Sequence, residues 1–423
     1  MDNVDVIVVG GGIGGLSAAN ALALSGLKVR LLERSNNFSE VGAGLQLASN
    51  CTRLMDQYGL LEEGKRLGVV PDKMLMRDAV DGSVITEMDL RDLEKRYGYP
   101  YLVIHRSDLL GIFMRACQRN GVELVTNARV IDYDETGEGT GTHATITLED
   151  GSKQSAGLII AADGIHSIAR KKFVGDDLVN SSYVAYRGTV PDDVPRTQKV
   201  DLSEVVVYVG PRCHFVHYGL RGGTMLNQVA VFQSPKAVRG EEDWGTPDEL
   251  DAGFAHTCDF VREGLPYMWR DKWWRMYTRN PILNWVFGRV ALLGDASHPP
   301  LQYIAQGAIM AIEDGWVLTE HSKMNRAADG TVDWDTVLQA YNAVRPEHCR
   351  RVLTTSVSWG ALWHLDGEER IQRNALLRQR DTYNYYFTDW LYGPTALYPK
   401  DEHELWSPIE LAAAQWPQDH ISM

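Results

Sequence analysis

The sequence is poor in the features that mark disulfide-rich, zinc-binding and membrane-spanning proteins. It contains 5 cysteines in 423 residues, and no two of them have the Cys-x-x-Cys spacing of a zinc site. An odd number of scattered cysteines predicts free thiols, as in a cytoplasmic protein. No apolar run approaches the roughly 20 residues that a membrane helix requires, and acidic Asp2 and Asp5 stand where a signal peptide would carry basic residues. We therefore expect a cytoplasmic protein with no bound metal and no membrane segment.

Positive charge is also in short supply. The chain has 42 lysines and arginines against 56 aspartates and glutamates, which makes the formal net charge −14. An acidic surface repels nucleic acid and anionic lipid, so the composition disfavours both as partners. Hydrophobic residues make up 44% and charged residues 23%, which is the composition of an ordinary globular protein and not of a disordered chain. A chain of this length suits two or three substructures that share an interface.

The first 33 residues have the pattern of a strand, a helix and a second strand. An apolar run at Val4–Val9 meets a glycine cluster, a helix-forming segment rich in small residues follows, and Lys28–Glu33 is a second apolar strand. Apolar runs at Gly157–Asp163 and Val290–Asp295 have the same character as the first. A strand–helix–strand unit implies a parallel sheet, to which these later strands add. We predict an α/β layer whose strands come from distant parts of the chain.

The glycines between the first strand and the helix have the spacing Gly10-x-Gly12-x-x-Gly15. In such a motif the first glycine permits a tight turn, the second lets the backbone approach a pyrophosphate, and the third packs the helix on the strand. Glu33 ends the second strand, where a carboxylate can accept hydrogen bonds from ribose hydroxyls. Together these features predict that a dinucleotide binds here, but they do not distinguish NAD from FAD.

Three further segments extend this prediction. Two of them follow predicted strands at the carboxyl edge of the sheet, where ligands of open α/β folds bind. The third is a glycine-rich stretch that can lie along an extended ligand. The segments are Glu40–Gln46 (EVGAGLQ), Asp163–Arg170 (DGIHSIAR) and Gly294–Pro300 (GDASHPP). Each alone could be a structural turn, but all three in this order after the first motif favour a dinucleotide site.

The middle of the chain predicts a different kind of sheet. Four strand-like segments follow one another here, and Arg221–Thr224 has the composition of a hairpin turn. Because no helical pattern separates the last three, we expect them to pair antiparallel. The segments are Tyr183–Val190, Val205–Val209, Cys213–Leu220 and Met225–Phe232.

These patterns predict a Rossmann-like α/β domain with an inserted, mainly antiparallel β domain and a helical C-terminal segment. The predicted dinucleotide-binding domain comprises 1–72, 98–178 and 288–330. The inserted substrate domain comprises 73–97 and 179–287, and the helical region comprises 331–423.

The strand at Cys213–Leu220 offers candidates for a substrate site. Residues two apart on a strand share a face, so His214 and Tyr218 point one way and His217 the other. Gln302 follows the proline loop and precedes a helical segment, where its amide could hydrogen-bond a ligand. Spacing alone leaves a structural role for each of these side chains open. His298 is interpreted as shaping its loop and His364 as helix packing.

The whole set of motifs resembles the single-component, FAD-containing aromatic hydroxylases of the para-hydroxybenzoate and salicylate hydroxylase type. The resemblance spans nearly the whole chain, and no second Gly-x-Gly-x-x-Gly exists, which fits a family whose NAD(P)H lacks its own Rossmann domain. Further segments resemble members that hydroxylate 3-hydroxybenzoate para to its hydroxyl. Those segments are Arg212–Tyr218, Met225–Phe232, Pro299–Tyr303, Trp363–Gly367 and Asp389–Leu391.

The resemblance implies roles for individual residues. Glu33 would hold the FAD ribose, Arg106 the phosphate region and Asp295 the ribityl chain, and the helix that opens at Gly307 would face the flavin. The implied cofactor-binding set is Gly10, Gly12, Gly15, Glu33, Arg34, Gly44, Arg106, Asp163, Gly164, Asp295, Pro300, Gly307 and Ala308. The implied catalytic set is His214, Tyr218 and Gln302, with His214 as a base because an imidazole ordinarily titrates near neutral pH.

The implied reaction uses FAD, NADH or NADPH, and dioxygen. A flavin C4a-hydroperoxide would attack a small phenolic carboxylate, and 3-hydroxybenzoate would become 2,5-dihydroxybenzoate (gentisate). Two alternatives stay open: a salicylate 1-hydroxylase that releases catechol, and a flavin dehydrogenase or reductase that inserts no oxygen. A homodimer is a further expectation from the resemblance.

Overall fold

A computed structural model describes residues 4–38, 42, 44–135 and 143–393. Parts of two predicted segments therefore lie outside the described residues: Glu40, Val41 and Ala43 of the glycine-rich stretch, and 394–423 of the C-terminal region. The described strands are β1 (Val6–Val9), β2 (Val29–Leu32), β3 (Gly44–Leu47), β4 (Lys73–Asp78), β5 (Val84–Asp89), β6 (Leu102–His105), β7 (Glu123–Val125), β8 (Val130–Asp134), β9 (Ala144–Leu148), β10 (Lys153–Ala156), β11 (Leu158–Ala161), β12 (Val179–Pro191), β13 (Glu204–Gly210), β14 (Cys213–Leu220), β15 (Met225–Gln233), β16 (Trp274–Thr278), β17 (Val286–Phe287) and β18 (Val290–Leu292).

The helices are concentrated after the strands of the first layer and at the end of the described chain. They are α1 (Ile13–Leu24), α2 (Ser49–Gln57), α3 (Leu61–Leu67), α4 (Leu90–Tyr97), α5 (Arg106–Arg119), α6 (Ile168–Phe173), α7 (Pro235–Val238), α8 (Pro247–Phe254), α9 (Asp259–Arg262), α10 (Gly307–Met324), α11 (Trp334–Trp363), α12 (Gly367–Arg378) and α13 (Tyr386–Tyr392).

The first layer is a six-stranded sheet in the order β17-β18-β11-β1-β2-β7, parallel except for β17. Its central strands β1 and β11 are wholly apolar and buried. They pack against α1 and against β9 and β10, which belong to a separate three-stranded sheet. On one side α1 and α10 approach so closely that a Cβ on Gly315 would lie 2.7 Å from Cα of Ala18. Small residues in α1 thus allow α10 to pack close to α1 and to the glycine turn at Gly10–Gly15.

The second layer is a seven-stranded sheet in the order β16-β12-β15-β14-β13-β4-β5. It is antiparallel except where β4 pairs parallel with β13, which connects an early segment of the chain to the inserted strands. All four predicted strands of the middle region occur here, and 221–223 form the turn between β14 and β15. The prediction of an α/β fold with a mainly antiparallel insertion is confirmed. The domain boundaries stay predictions.

The C-terminal helices close the space between the two sheets. The long helix α11 packs on α10 and on the turn at 302–304, and α12 packs on β5. In α12, Arg370 donates to the buried carboxylate of Asp78 at 2.5 Å. This ion pair holds α12 against β4 of the seven-stranded sheet. No helix among the described residues is both long enough and apolar enough to cross a bilayer.

Candidate active site

A cavity of about 590 Å³ lies between the two sheets and the C-terminal helices. Twelve of the residues predicted from the sequence line it, although they come from six separate segments of the chain. They are Gly12, Gly15, Gly44, Arg106, Gly164, His214, Tyr218, Asp295, Pro300, Gln302, Gly307 and Ala308. Four other predicted residues, Gly10, Glu33, Arg34 and Asp163, lie outside the lining. The fold therefore brings most of the predicted cofactor and substrate residues to one space.

The glycine turn has the geometry that its spacing predicts. Gly10 has φ of +111°, and a Cβ there would lie 2.2 Å from the carbonyl oxygen of Ala162. A Cβ on Gly15 would lie 2.0 Å from the carbonyl oxygen of Gly10. A side chain at either position would therefore collide with backbone. Gly12 precedes the first turn of α1 and lines the cavity, so N–H groups at the helix start are available to an anionic group.

The carboxylate of Glu33 lies beside this turn. Its Oε2 accepts a hydrogen bond from the N–H of Gly11 at 2.7 Å, and its Oε1 accepts one from the N–H of Ser35 at 2.8 Å. Glu33 is thereby held where β2 ends, as the motif predicts, but outside the cavity lining. Arg34 is exposed to solvent and does not line the cavity.

The second dinucleotide-type segment follows β11. Asp163 Oδ2 accepts hydrogen bonds from the N–H of Ile168 at 2.9 Å and from the hydroxyl of Tyr133 at 3.2 Å. Its Oδ1 is buried with no hydrogen-bond partner among the described residues, and burial raises the pKa of this carboxyl. Gly164, the next residue, lines the cavity. An unpartnered carboxylate oxygen beside the cavity fits a hydroxyl-bearing ligand such as FAD.

The third segment connects β18 to α10. Asp295 is exposed on the short turn at 294–296 and faces the cavity. Gly307 and Ala308 form the first turn of α10, and Pro300 packs against Gly307. No side chain caps this end of α10, since Gln306 makes no capping hydrogen bond. The positive end of the helix dipole therefore faces the cavity and favours negative charge there.

Buried ion pairs behind this segment hold it in place. His298 Nε2 lies 2.6 Å from Asp314 Oδ2, which also accepts the N–H of Gly294 at 3.0 Å. Arg345 Nε donates to Asp314 Oδ1 at 2.8 Å. Burial lowers the pKa of His298, but the neighbouring Cys349 and Asp314 outweigh it and hold that pKa well above its ordinary value. His298 thus shapes its loop, as the sequence suggests.

Ligand atoms of His298, Asp314 and Cys349 lie within 4.8 Å of one another, which is a spacing that could hold a metal. Arg345, however, donates to both Asp314 Oδ1 at 2.8 Å and Cys349 Sγ at 3.3 Å. Because a guanidinium already occupies the space between these groups, the cluster is better suited to an ion-pair network than to a cation.

The floor of the cavity is one face of the seven-stranded sheet. His214, Val216 and Tyr218 line the cavity, whereas Phe215 belongs to the core behind the sheet. His217 is likewise on the far face, where its ring lies near Phe260. The alternation predicted for β14 is therefore correct.

The environment of His214 differs from the expectation. His214 is fully buried, and burial lowers the pKa of its imidazole to about 3. The assignment of His214 as the base rests on the near-neutral pKa of an ordinary imidazole. Burial opposes that pKa in the protein without substrate, and the assignment stays a prediction. His214 Nδ1 lies 2.9 Å from His364 Nε2, and the ring packs edge-on against Trp363. The imidazole is therefore neutral and fixed in orientation.

His364 is the partner that sequence reasoning missed. It ends α11, 150 positions after His214, and stacks on Tyr183 with ring centroids 4.6 Å apart. The helical pattern of this segment predicts packing within the helical region. Periodicity in α11 carries no information about contacts with β14. The one signal for this stretch in the sequence was the resemblance of Trp363–Gly367 to related enzymes.

Tyr218 and Gln302 face the cavity from opposite walls. Tyr218 is buried, which raises the pKa of its phenol, and it hydrogen-bonds to Gln46. Gln46 also accepts the hydroxyl of Tyr101 at 2.7 Å. A Cβ on Gly44 would lie 2.4 Å from Cε2 of Tyr218, so the glycine there is required by the phenol ring. Gln302 begins the turn at 302–304 directly before α10.

Arg187 is a further cavity residue that the sequence analysis did not single out. It lies on the predicted strand Tyr183–Val190, and the alternation of that strand would have placed it on the same face as Ala185. Other cavity walls that were not foreseen come from β4, β5, α11, α12 and α13. They include Met74, Met76, Met88, Thr355 and Trp359.

Comparison with known proteins identifies the family. A family model described as FAD binding domain matches residues 3–356. A 3-hydroxybenzoate 6-hydroxylase of Polaromonas naphthalenivorans (strain CJ2) is 37% identical over 400 residues, which cover 92% of this chain and 96% of that relative. The chain belongs to the FAD-dependent aromatic monooxygenase family.

Other comparisons agree with this family. A protein named 3-hydroxybenzoate 6-hydroxylase 1, from Aquipseudomonas alcaligenes, is 35% identical over 398 residues, 92% of this chain and 97% of the relative. The structure of HpxO from Klebsiella pneumoniae, complexed with FAD and uric acid, has a TM-score of 0.77 and 25% identity, and the alignment covers 89% of this chain and 93% of that one. The predicted resemblance, the flavoprotein fold and FAD as cofactor are confirmed.

Proposed function

We propose that this monooxygenase hydroxylates 3-hydroxybenzoate at the carbon para to its hydroxyl. One NADH or NADPH and one dioxygen are consumed, and one oxygen atom enters the ring while the other leaves as water. The product is 2,5-dihydroxybenzoate. The observation that carries the proposal is the cavity itself, in which an imidazole, a phenol and an amide converge on an apolar floor. The names of the relatives supply the substrate.

We propose that the predicted cofactor-binding residues hold FAD along one side of the cavity. The unpartnered Oδ1 of Asp163, the uncapped start of α10 and the glycine turn at Gly10–Gly15 support this assignment. Bound FAD, once reduced by the nicotinamide cofactor, activates dioxygen for transfer to the ring. Glu33 at the end of β2 would bind the ribose, and Arg106 at the start of α5 the phosphates.

In this proposal His214 accepts the hydrogen bond of the substrate phenol. Its Nδ1 is engaged with His364, which leaves Nε2 for the substrate. A neutral imidazole is a hydrogen-bond acceptor, and it draws the phenol towards phenolate, which makes the para carbon more electron-rich. Burial disfavours an imidazolium in the resting protein, but a phenolate formed beside it would offset that cost.

The remaining residues would orient the ring and keep water away. Tyr218 and Gln302 face the cavity from the sheet and from the loop before α10, so they can restrain the substrate from two sides. The apolar floor, which includes Val216, Val207 and Val229, excludes water from the site of oxygen transfer. Exclusion of water suppresses release of hydrogen peroxide without product.

The direct test records NADH oxidation, oxygen uptake and product identity with 3-hydroxybenzoate and salicylate side by side. Gentisate from 3-hydroxybenzoate, with one oxygen consumed per NADH, is the expected result. Catechol from salicylate would instead assign the decarboxylating alternative. NADH oxidation coupled to an acceptor with no oxygen consumed would assign a dehydrogenase or reductase and refute the proposal.

We further propose a cytoplasmic homodimer. All five cysteines are free in the structure, which suits a reducing compartment. Ile371 and Leu376 expose apolar side chains on α12, which suits contact with a second subunit. Light scattering after size-exclusion chromatography tests the dimer, and a monomer mass at micromolar concentration would contradict it.

A further inference from the structure

Arg187 lies in β12 on the face of the sheet that forms the cavity floor. The sheet register puts it in one row with Val229 of β15 and Val216 of β14, both of which line the cavity. His214 and Tyr218 occupy the rows on either side of Val216. Because adjacent strands are about 4.8 Å apart, Arg187 lies about 10 Å across the sheet from β14. A cation and the proposed substrate-binding residues thus stand at two sides of an apolar floor.

The guanidinium of Arg187 has no hydrogen-bond or carboxylate partner among the described residues. It lies over the ring of Trp274, with Cζ 5.4 Å from the ring centroid. Burial lowers the pKa of Arg187, the phenol of Tyr218 opposes this effect, and Arg106 adds to it. No carboxylate of the described residues contributes to the shift of the Arg187 pKa.

Buried arginines elsewhere in the described chain have partners inside the protein. Arg196 and Arg373 donate to amide and carbonyl oxygens. Three more each donate to a carboxylate at 3.1 Å or less. The pairs are Arg170 with Asp176, Arg279 with Asp176, and Arg345 with Asp314. A buried cation without an anion is costly, and the cost is offset when a ligand supplies the negative charge. Arg187 opens on the cavity, so the anion it lacks can come from a bound ligand.

We infer that Arg187 binds the carboxylate of the substrate and thereby selects aromatic acids over neutral phenols. The inference rests on the proposed hydroxylation of a hydroxybenzoate and adds the group that recognises its acid function. A guanidinium presents a planar pair of N–H donors that matches a carboxylate. The ring then lies over the valine floor with its carboxylate towards β12 and its hydroxyl towards β14 and Gln302.

This arrangement also explains why the residues that follow Arg187 in its row, Val229 and Val216, are apolar. The valines of that row offer no hydrogen bond, so the ring can be held only through its two substituents. Two anchored substituents fix both the position and the rotation of the ring. Arg187 therefore contributes to the choice of the ring carbon as well as to affinity.

The test compares an acid with its neutral amide in the oxidised holoenzyme without NADH, so that no turnover occurs. The change in flavin absorbance on titration with 3-hydroxybenzoate and with 3-hydroxybenzamide gives the two dissociation constants. We expect Arg187→Gln to weaken binding of the acid by roughly 10- to 100-fold, the range of a charge-assisted hydrogen bond, and binding of the amide by less than about 3-fold. Arg187→Lys keeps the charge but loses the paired donors, and we expect its affinity for the acid to lie between that of the parent and that of Arg187→Gln.

Lys272→Met is the matched control. The ammonium of Lys272 also lies 5.4 Å from the centre of the Trp274 ring, but Lys272 does not line the cavity. We expect this variant to bind both ligands as the parent does. Equal weakening of acid and amide by Arg187→Gln, or no weakening of either, would overturn the inference. So would loss of FAD with an unchanged preference for acid over amide, which would assign Arg187 to the cofactor.

Failure of the substrate proposal can be told apart from failure of this inference. If the parent enzyme converts salicylate and not 3-hydroxybenzoate, the same variants are titrated with salicylate and salicylamide. A preference for the acid that depends on Arg187 would then uphold the role of this residue although the proposed substrate is wrong. Absence of that dependence with both pairs would refute the role itself.

Discussion

The two faces of the seven-stranded sheet bury the same kinds of side chain in different settings. His214 on the cavity face and His217 on the core face are three residues apart on β14, and burial lowers the pKa of each to about 3. His214 has a partner in His364 at 2.9 Å and lines the cavity, whereas Nδ1 of His217 is buried with no hydrogen-bond partner in the described part of the chain. A shifted pKa therefore does not identify a functional histidine, whereas a position on the cavity lining gives the histidine access to a ligand.

The arginines of the two faces differ in the same way. On the core face Arg196 donates to Gln228 Oε1 at 2.6 Å and to the carbonyl of Phe260 at 3.1 Å, and it lies over aromatic rings. On the cavity face Arg187 lies over the Trp274 ring and has no hydrogen-bond or carboxylate partner among the described residues. Protein oxygens and aromatic rings hold the cation of the core face, although its Nη2 is buried without a hydrogen-bond partner among the described residues. On the cavity face, we propose that a ligand supplies the partner. Four variants and conditions test this contrast.

The largest effect is expected for His214→Ala. Loss of a positioned proton acceptor should lower the rate of hydroxylation by roughly 10²- to 10⁴-fold. FAD content should be unchanged, because His214 contacts the substrate side of the cavity. Turnover with product quantification and the flavin absorbance of the purified variant measure both. Normal hydroxylation by His214→Ala would show that this histidine is not the base.

Arg196→Met should act on stability and leave catalysis intact. The change leaves the buried oxygens of Gln228 and Phe260 without a donor, at about 1–3 kcal/mol for each. We expect a lower apparent Tm and a kcat per bound FAD close to that of the parent. A selective loss of substrate affinity in a fully folded variant would break the distinction between the two faces.

Acid should destabilise the protein through both histidines alike. Each has an ordinary pKa of 6.5 that falls to about 3 on folding, so between these values the unfolded chain binds more protons. Stability from each is present above pH 6.5 and is lost as the pH falls towards 3, by about 1.4 kcal/mol per pH unit. We expect His217→Leu to lose less stability than the parent between pH 6.5 and pH 5.

Apparent Tm across that pH range measures the effect, and hydroxylation at pH 7.5 serves as the control. His217→Leu should hydroxylate normally, since His217 lies behind the sheet. An unchanged acid sensitivity would mean that His217 is already protonated in the folded protein or is solvated there.

The smallest effect is expected for His364→Phe. Phenylalanine keeps a ring against Tyr183 but removes the hydrogen bond to His214. Because His364 acts through His214, we expect about a 10-fold lower kcat, by analogy with one lost hydrogen bond, and a shifted pH profile. His364→Gln, which restores a hydrogen-bonding group, should recover part of the rate. A changed Tm with an unchanged pH profile would limit His364 to packing.

Much of the fold and of the candidate site follows from local patterns. Gly15 is demanded by a backbone contact with Gly10 inside one strand–helix unit, whereas Gly10 is demanded by the carbonyl of Ala162 after β11. Strand alternation alone separates His214 from His217. The strands of the inserted sheet were recognised as short strand-like runs with a hairpin turn between the last two, and β13, β14 and β15 are buried on both faces. The parallel pairing of β4 with β13 was not recognised, because it joins segments about 130 positions apart.

Local patterns cannot predict which residues contact one another across the cavity. His364 reaches His214 only because α11 packs on the turn at 302–304, and nothing near either histidine encodes that contact. The value of the His214 pKa likewise depends on burial by Tyr303 and Trp363, which come from two other segments. For this reason the ordinary pKa of an imidazole does not carry over to His214.

By itself the sequence determined the chemistry that is available: glycine turns that admit a pyrophosphate, a carboxylate after β2, and a strand that presents an imidazole and a phenol on one face. These properties depend on the backbone of a few consecutive residues, so spacing reveals them. The tertiary structure alone decided which buried polar groups are satisfied and which are left for a ligand. Arg196 and Arg187 are both arginines near strands of the same sheet, and they differ only in what the rest of the chain packs against each.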